Sequence, residues 1–178
     1  MELGSKRLVL RPAGRLDLDF FVEMRNHPRI LALPGRQPRP RSDVEQQLQR
    51  WVERWQKLGF GTWTVFDRES GDRLGRVELD PIGQGWPGIA PDEVELGCII
   101  HPSSWSEGIA TEASELAIAD FFGRTDRNRL VALTTSDNQP SLRALAKLGL
   151  RHCGQIQHEH DETTYELFEL VQDSSGGA

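Results

Sequence analysis

His101-Pro102-Ser103-Ser104-Trp105-Ser106-Glu107-Gly108 leads straight from an apolar stretch into Ile109-Ala110-Thr111-Glu112-Ala113, which has helical character. A turn of small residues between a strand and a helix exposes several backbone N–H groups, and together with the positive helix end these can hold a pyrophosphate. Gly108 permits close backbone approach, and such a cradle needs no lysine. The same residues also fit an ordinary helix cap, so this segment does not decide the matter alone. In a second segment, Asn138-Gln139-Pro140-Ser141-Leu142-Arg143-Ala144-Leu145-Ala146-Lys147-Leu148-Gly149-Leu150, an amide and a hydroxyl stand at the start of a helix. Asn138 and Ser141 can touch a ligand there, or serve as turn and helix-start residues. Asp92, Glu93 and Glu95 interrupt an otherwise apolar strand over residues 93–100, so at least one carboxylate is expected to face a cavity. In His158-Glu159-His160-Asp161 two imidazoles can point the same way from a strand, but no third ligand follows at a defined spacing. No metal is therefore expected. Cys98 and Cys153 both fall in strand-like runs and read as buried free thiols rather than as a disulfide or a nucleophile.

Strands and helices must position these groups. Residues 7–11 read as a short edge strand, and residues 16–26 as a helix that His27-Pro28 ends or bends. Residues 34–41 hold three prolines and three arginines, which makes a loop, free to lie over a ligand or simply solvated. Ser42-Asp43-Val44-Glu45 has the spacing of a capping box, ahead of a helix to about Leu58 whose stripe includes Val44, Leu48, Trp51, Val52 and Trp55. Those tryptophans are expected in the core rather than lining a pocket. Residues 61–67 and 73–80 form a hairpin around Glu69-Ser70-Gly71-Asp72, and a Gly/Pro-rich loop around Trp86 precedes the strand at 93–100. Residues 108–122 give the strongest helix, residues 130–134 a buried strand, and residues 151–160 and 163–171 a last hairpin. This order suits an α/β (α+β) domain with a mixed sheet covered by helices.

The chain has 178 residues, enough for one hydrophobic core, so residues 1–171 read as one domain and 172–178 as a frayed tail. No run approaches the ~20 apolar residues that cross a bilayer, and no signal segment is evident, so a cytoplasmic protein without membrane contact is expected. The formal net charge of −6 argues against direct nucleic-acid binding; it could concentrate a cationic substrate, and solubility explains it equally well.

Taken in order, several segments resemble the GCN5-related N-acetyltransferase (GNAT) superfamily, and within it the ribosomal-protein N-terminal acetyltransferase-like (RimJ/RimL-type) branch. They are Lys6-Arg7-Leu8-Val9-Leu10-Arg11-Pro12, Glu95-Leu96-Gly97-Cys98-Ile99-Ile100-His101-Pro102, the Trp105 turn with Gly108-Ile109-Ala110-Thr111-Glu112-Ala113, and the Asn138 segment. The resemblance spans residues 6–171. It implies a central, mostly antiparallel sheet flanked by helices, with splayed central strands that bind acetyl-CoA.

By that resemblance the backbone of Trp105, Ser106, Glu107, Gly108, Ile109 and Ala110, continuing into Thr111, cradles the pyrophosphate. The backbone of Cys98, Ile99 and Ile100 pairs with the pantetheine arm, and strand amides polarise the thioester carbonyl. Asn138 sits beside the pantetheine and Ser141 near the thiol end. Glu95 is the first choice for a general base and Glu78 the second. Either can act through water, bind a cationic amine, or belong to a solvated strand face.

Departures from the pattern bear on mechanism. Ser106 stands where the branch commonly has glycine, and Trp105 where the wider superfamily has glutamine or arginine. Leu145 takes the place of a tyrosine acid, so the thiolate is protonated by Ser141, by water or after release; a thiol pKa near about 8.5 makes a side-chain acid unnecessary. The implied acceptor is a protein or peptide α-amine, with a small amine such as an antibiotic or polyamine as the alternative. A non-catalytic CoA-binding protein is the reading from another class, and a homodimer is implied by resemblance alone.

Overall fold

The computed structural model describes residues 1–33 and 36–172. Near-continuous buried runs on the early strands, Leu8-Val9-Leu10 and Trp63-Thr64-Val65-Phe66, suit a sheet with two covered faces. Its strands are β1 (Leu3–Gly4), β2 (Leu8–Pro12), β3 (Trp63–Asp67), β4 (Arg73–Pro81), β5 (Val94–Ile100), β6 (Arg129–Thr134), β7 (Arg151–Gln157) and β8 (Thr164–Val171). They lie in the order β1-β2-β3-β4-β5-β6-β8-β7, and every neighbouring pair is antiparallel except β5 with β6. The mixed sheet expected from the order of elements, mostly antiparallel as the resemblance implied, is thus the observed one.

Helices cover both faces. On one, α4 (Ile109–Arg124) and α5 (Gln139–Lys147) pack Ala113, Ala117, Phe121 and Leu145 against Val77, Leu79, Leu96 and Ile100. On the other, α1 (Leu18–Asn26) and α3 (Arg41–Leu58) bring Phe21, Met24, Val44, Leu48 and Trp51 together, with Ile99 of β5 beneath them. Period-two alternation along β4 and β5 therefore sends Val77, Leu79, Leu96 and Ile100 to the α4 side, and Arg76, Glu78 and Ile99 to the α1–α3 side.

Three local expectations need correction, and a fourth, at His27-Pro28, is borne out in fuller form. Residues 8–12 are not an edge strand, because β1 pairs outside them, Leu3 against Leu10. The capping box at Ser42 is absent: the extended Pro40 already caps the helix, which begins at Arg41, so Ser42 lies inside the first turn and its Oγ turns to Asp43 Oδ1 at 3.4 Å. His27-Pro28 ends one helix but also starts another, α2 (Pro28–Leu31), because His27 Nδ1 accepts from Arg29 N–H and proline suits the first turn. Cys153 is exposed, on β7, the last strand of the sheet. Residues 36–40 form the expected loop before α3, while residues 34–35 and the expected tail at 173–178 lie outside the described residues. Trp51 is buried as foreseen, and Trp55 packs edge-on against Trp63 at 4.6 Å.

Candidate active site

Parallel pairing between β5 and β6 is registered at Glu95 with Val131, and beyond it the two strands part. A cleft of about 550 Å³ opens between them. Gly97, Cys98, Ile99 and Ile100 form one wall, Ala132, Leu133 and Thr134 the other, and the starts of α4 and α5 close the ends. Strand backbone freed from its neighbour in this way must find other partners, which an extended ligand can supply.

The turn from Ser104 to Thr111 borders the cleft, with Trp105, Ser106, Gly108, Ile109, Ala110 and Thr111 all facing it. Gly108 caps α4 in the left-handed conformation, φ 78°, and no side chain caps that helix end. Its first-turn amides are left for a ligand. Ser106 also adopts a left-handed φ of 69°, the conformation that glycine holds without strain. Glu107 does not line the cleft; its backbone carbonyl accepts from Arg7 Nη1 at 3.1 Å.

Two further arginines and a tryptophan hold the turn, and sequence reading missed the arginines. Arg7 pairs with Glu112, and Arg29 donates to Pro102 O at 3.2 Å while its guanidinium lies 4.5 Å from the Trp105 ring centroid. Trp105 Nε1 in turn donates to Ile100 O at 2.7 Å, fixing the turn to the end of β5. The cation–π contact could not be found from spacing, because Arg29 and Trp105 lie on different elements.

Of the three carboxylates at the start of β5, Glu95 is the one that faces the cleft. Asp92 pairs with Arg127 at 3.1 Å, and Arg129 binds Glu93 at 2.8 Å, so both are accounted for elsewhere. One side of Glu95 opens on the cleft while dense protein surrounds the rest, and this burial, with the Asp80 charge adding to it, raises its carboxyl to about 7. Glu78 lies on the same face, opposite Gly97, but is paired with Arg76. Gly97 leaves room there: a Cβ at that position would stand 3.4 Å from Glu78 Oε2. Burial drives the Cys98 thiol up to about 11, which makes it a poor nucleophile.

The sequence matches the acetyltransferase (GNAT) domain family over residues 7–151. The chain belongs to that family. Its fold is similar to that of a putative GNAT-family acetyltransferase from Bordetella pertussis, with 23% identity and a TM-score of 0.82 over 96% of this chain and 99% of that one. It is also similar to a ribosomal-protein-S5-alanine acetyltransferase from Vibrio fischeri, at 16% identity and TM-score 0.77 over 99% and 100%. A third likeness is to an aminoglycoside acetyltransferase in complex with coenzyme A, at 16% identity and TM-score 0.75 over 93% and 95%.

In this GNAT chain the second segment also reaches the cleft. Asn138 and Ser141 both line it, and Asn138 Oδ1 accepts from Ser141 N–H at 3.3 Å, so the amide caps α5 while bordering the cavity. Leu145 lines the cleft from the core and offers no proton.

The histidines at the end of β7 have other partners: His158 meets Gln84 O at 2.9 Å and packs on Trp86. Ligand-type atoms instead converge at Glu23, His27 and His101, all within 4.8 Å of one another. Nδ1 of His27 accepts from Arg29 N–H and Nδ1 of His101 from Ser103 N–H. A neutral ring that accepts at Nδ1 carries its proton on Nε2, as a donor and not a metal ligand. His101 Nε2 faces Glu23 Oε2 at 3.3 Å, in keeping with that tautomer. Among the described residues, no helix is long and apolar enough to cross a membrane.

Proposed function

We propose that the protein transfers an acetyl group from acetyl-CoA to a primary amine, most specifically the α-amine at a protein or peptide amino terminus, by direct attack in a ternary complex. The observation that carries this reading is the parting of β5 from β6 beyond Glu95, ending at the uncapped start of α4. An extended pantetheine arm fits along Cys98, Ile99 and Ile100, and its pyrophosphate fits the amides from Trp105 to Thr111. The likeness in fold to an aminoglycoside enzyme holding coenzyme A supports the choice of cofactor, and the likeness to the ribosomal-protein enzyme supports the choice of acceptor.

CoA supplies the activated acyl group, and the chain's own residues orient it and manage protons. Glu95 accepts a proton from the acceptor ammonium before attack, or from the neutral amine as it attacks, directly or through one water, because its raised pKa lies close to neutral pH. An α-amine, with a reference pKa of about 8, needs less basic assistance than a lysine at about 10.4. Glu78 is held by Arg76 and fits a positioning role better than that of the base. Ser141 and water remain as proton sources for the departing thiolate.

Calorimetry on metal-free protein tests the cofactor reading, and acetyl-CoA turnover on a panel of peptides and small amines tests the acceptor. Gly108→Trp forces a bulky side chain into the left-handed turn and should weaken CoA binding tenfold or more with the circular dichroism spectrum retained. Absent CoA binding at millimolar ligand in the parent protein would sink the transferase reading and the CoA-binding alternative together.

A further inference from the structure

The chain carries a net charge of −6, yet two arginines stand at the end of the cleft beside Glu78 and Glu95. Arg76 of β4 and Arg36 of the loop before α3 line the cleft there. Arg76 also forms the wall between the cleft and a water-sized cavity of about 10 Å³ that Arg25 of α1 borders from the other side. Arg76 is only 7% exposed and stacks on Trp51 with its guanidinium 4.9 Å from the ring centroid.

These guanidiniums are poorly compensated. Arg76 has Glu78, while Asp80 is held by Arg54. Among the described residues, Arg25 Nε is buried with no hydrogen-bond partner. Burial lowers the proton affinity of Arg25 and of Arg36, and the charges of Arg36 and Arg39 on Arg25, and of Arg39 on Arg36, lower it further. Burial first, then Arg36 and Arg25, lower Arg76 to about 9, against smaller opposing contributions from Asp80 and Cys98. Burial of like charges without counterions is unfavourable, and a carboxylate that accepts from two guanidiniums removes the imbalance.

Register says which part of the ternary complex would bring that carboxylate. Arg76 stands opposite Ile99 and Glu78 opposite Gly97, on the sheet face under α1 and α3. The amides of the Gly108 turn belong to α4, on the opposite face. The arginines therefore flank the proposed base rather than the pyrophosphate turn. We propose that Arg36 and Arg76, with Arg25 behind Arg76, form an anion subsite of the acceptor pocket, and that the acceptor is a peptide amino terminus with an acidic side chain in its first two residues. This rests on the acetyl-transfer reading above and narrows its substrate class; a polycationic antibiotic would be repelled.

The test pairs peptides identical except for Asp against Asn, or Glu against Gln, at the first position in one series and at the second in another. At saturating acetyl-CoA the acidic member should, in at least one series, have a kcat/KM higher by about tenfold or more, carried mainly by KM. Arg36→Gln should bring that ratio close to one, Arg36→Lys should keep most of it, and Arg36→Glu should turn the preference toward a lysine-bearing peptide. Arg36 is the position of choice because it sits in a loop; CoA titration of each variant checks folding. Calorimetry with CoA-loaded protein and the acetylated products, acetyl-Asp-Gly-amide against acetyl-Asn-Gly-amide, reads the subsite without turnover, and the acidic product should bind more tightly by a similar factor.

A ratio near one in both series with the parent protein, or one that Arg36→Gln leaves intact, overturns the subsite while the transferase reading stands. Weakened CoA binding in Arg36→Gln with an unchanged ratio gives the arginines to the cofactor and also overturns it. If no peptide is acetylated but the acidic product still binds selectively, the subsite stands and the peptide-acetylation reading falls. Preference for free aspartate over every peptide overturns the peptide acceptor in favour of a small amino acid.

Discussion

Asp80 on β4 stands directly across from Glu95 on β5, which places two carboxylates side by side on one sheet face, with Glu95 the one of the pair that lines the cleft. Asp80 is tied to Arg54 of α3, whereas burial, with the Asp80 charge adding to it, raises the Glu95 carboxyl to about 7.

The rate of amine acetylation at saturating acetyl-CoA should therefore rise through an acidic limb with its midpoint near about 7. Glu95→Gln keeps the size and removes the basicity; the rate should fall by about 10² or more, the limb should vanish, and CoA affinity should hold. Steady-state kinetics from about pH 6 to 9 read all three. A raised amine KM at nearly constant maximal rate would assign Glu95 to substrate charge instead.

Stability should follow the same group with a defined sign. The folded-state pKa of Glu95 lies above its ordinary value of 4.5, so folding favours the protonated form; stability is full below 4.5 and falls as pH rises through about 7. At pH 8 Glu95→Gln should be more stable than the parent by ~1–2 kcal/mol, a figure discounted for the side open to the cleft. The gap should close below about pH 4.5, as urea melts at the two pH values would show.

Asp80→Asn removes the charge opposite Glu95 without changing shape. The acidic limb should move to lower pH, by less than about one unit because Arg54 already offsets part of the Asp80 charge and burial is the larger cause. A limb that stays in place would mean that burial alone sets the Glu95 value.

Ser106→Gly should stabilise the protein by about 0.5–1 kcal/mol, since a side chain at φ 69° is strained and glycine is not. Thermal melting measures it. CoA affinity should be equal or tighter, because the turn's backbone already has the required shape; weaker binding would show that the Ser106 hydroxyl contacts the cofactor.

Much of the fold was legible because its signals are local. Apolar residues at helical spacing marked α4 through Ile109, Ala113 and Phe121, and Gly149, at φ 78°, ends the helical segment after α5 as its position suggested. Errors arose where two local signals competed: Ser42 had the spacing for a cap, but Pro40 fixed the helix start two residues earlier. Short strands with little sequence of their own, such as Leu3–Gly4, gave no signal at all.

The sequence by itself determined the order of elements, the small-residue turn at Gly108 and the set of carboxylates from which a base could come. Those features depend on neighbours within a few residues, whose periodicity and backbone preferences act locally. Tertiary structure alone decided that Glu95, and neither Asp92 nor Glu93, faces the cleft, because Arg127 and Arg129 are brought in from beyond α4 to take the other two. It likewise gathered Arg25, Arg36 and Arg76 around one cavity wall from a helix, a loop and a strand. Charge interactions depend on distance in space, and strand register and helix packing set those distances across separations that sequence spacing does not encode.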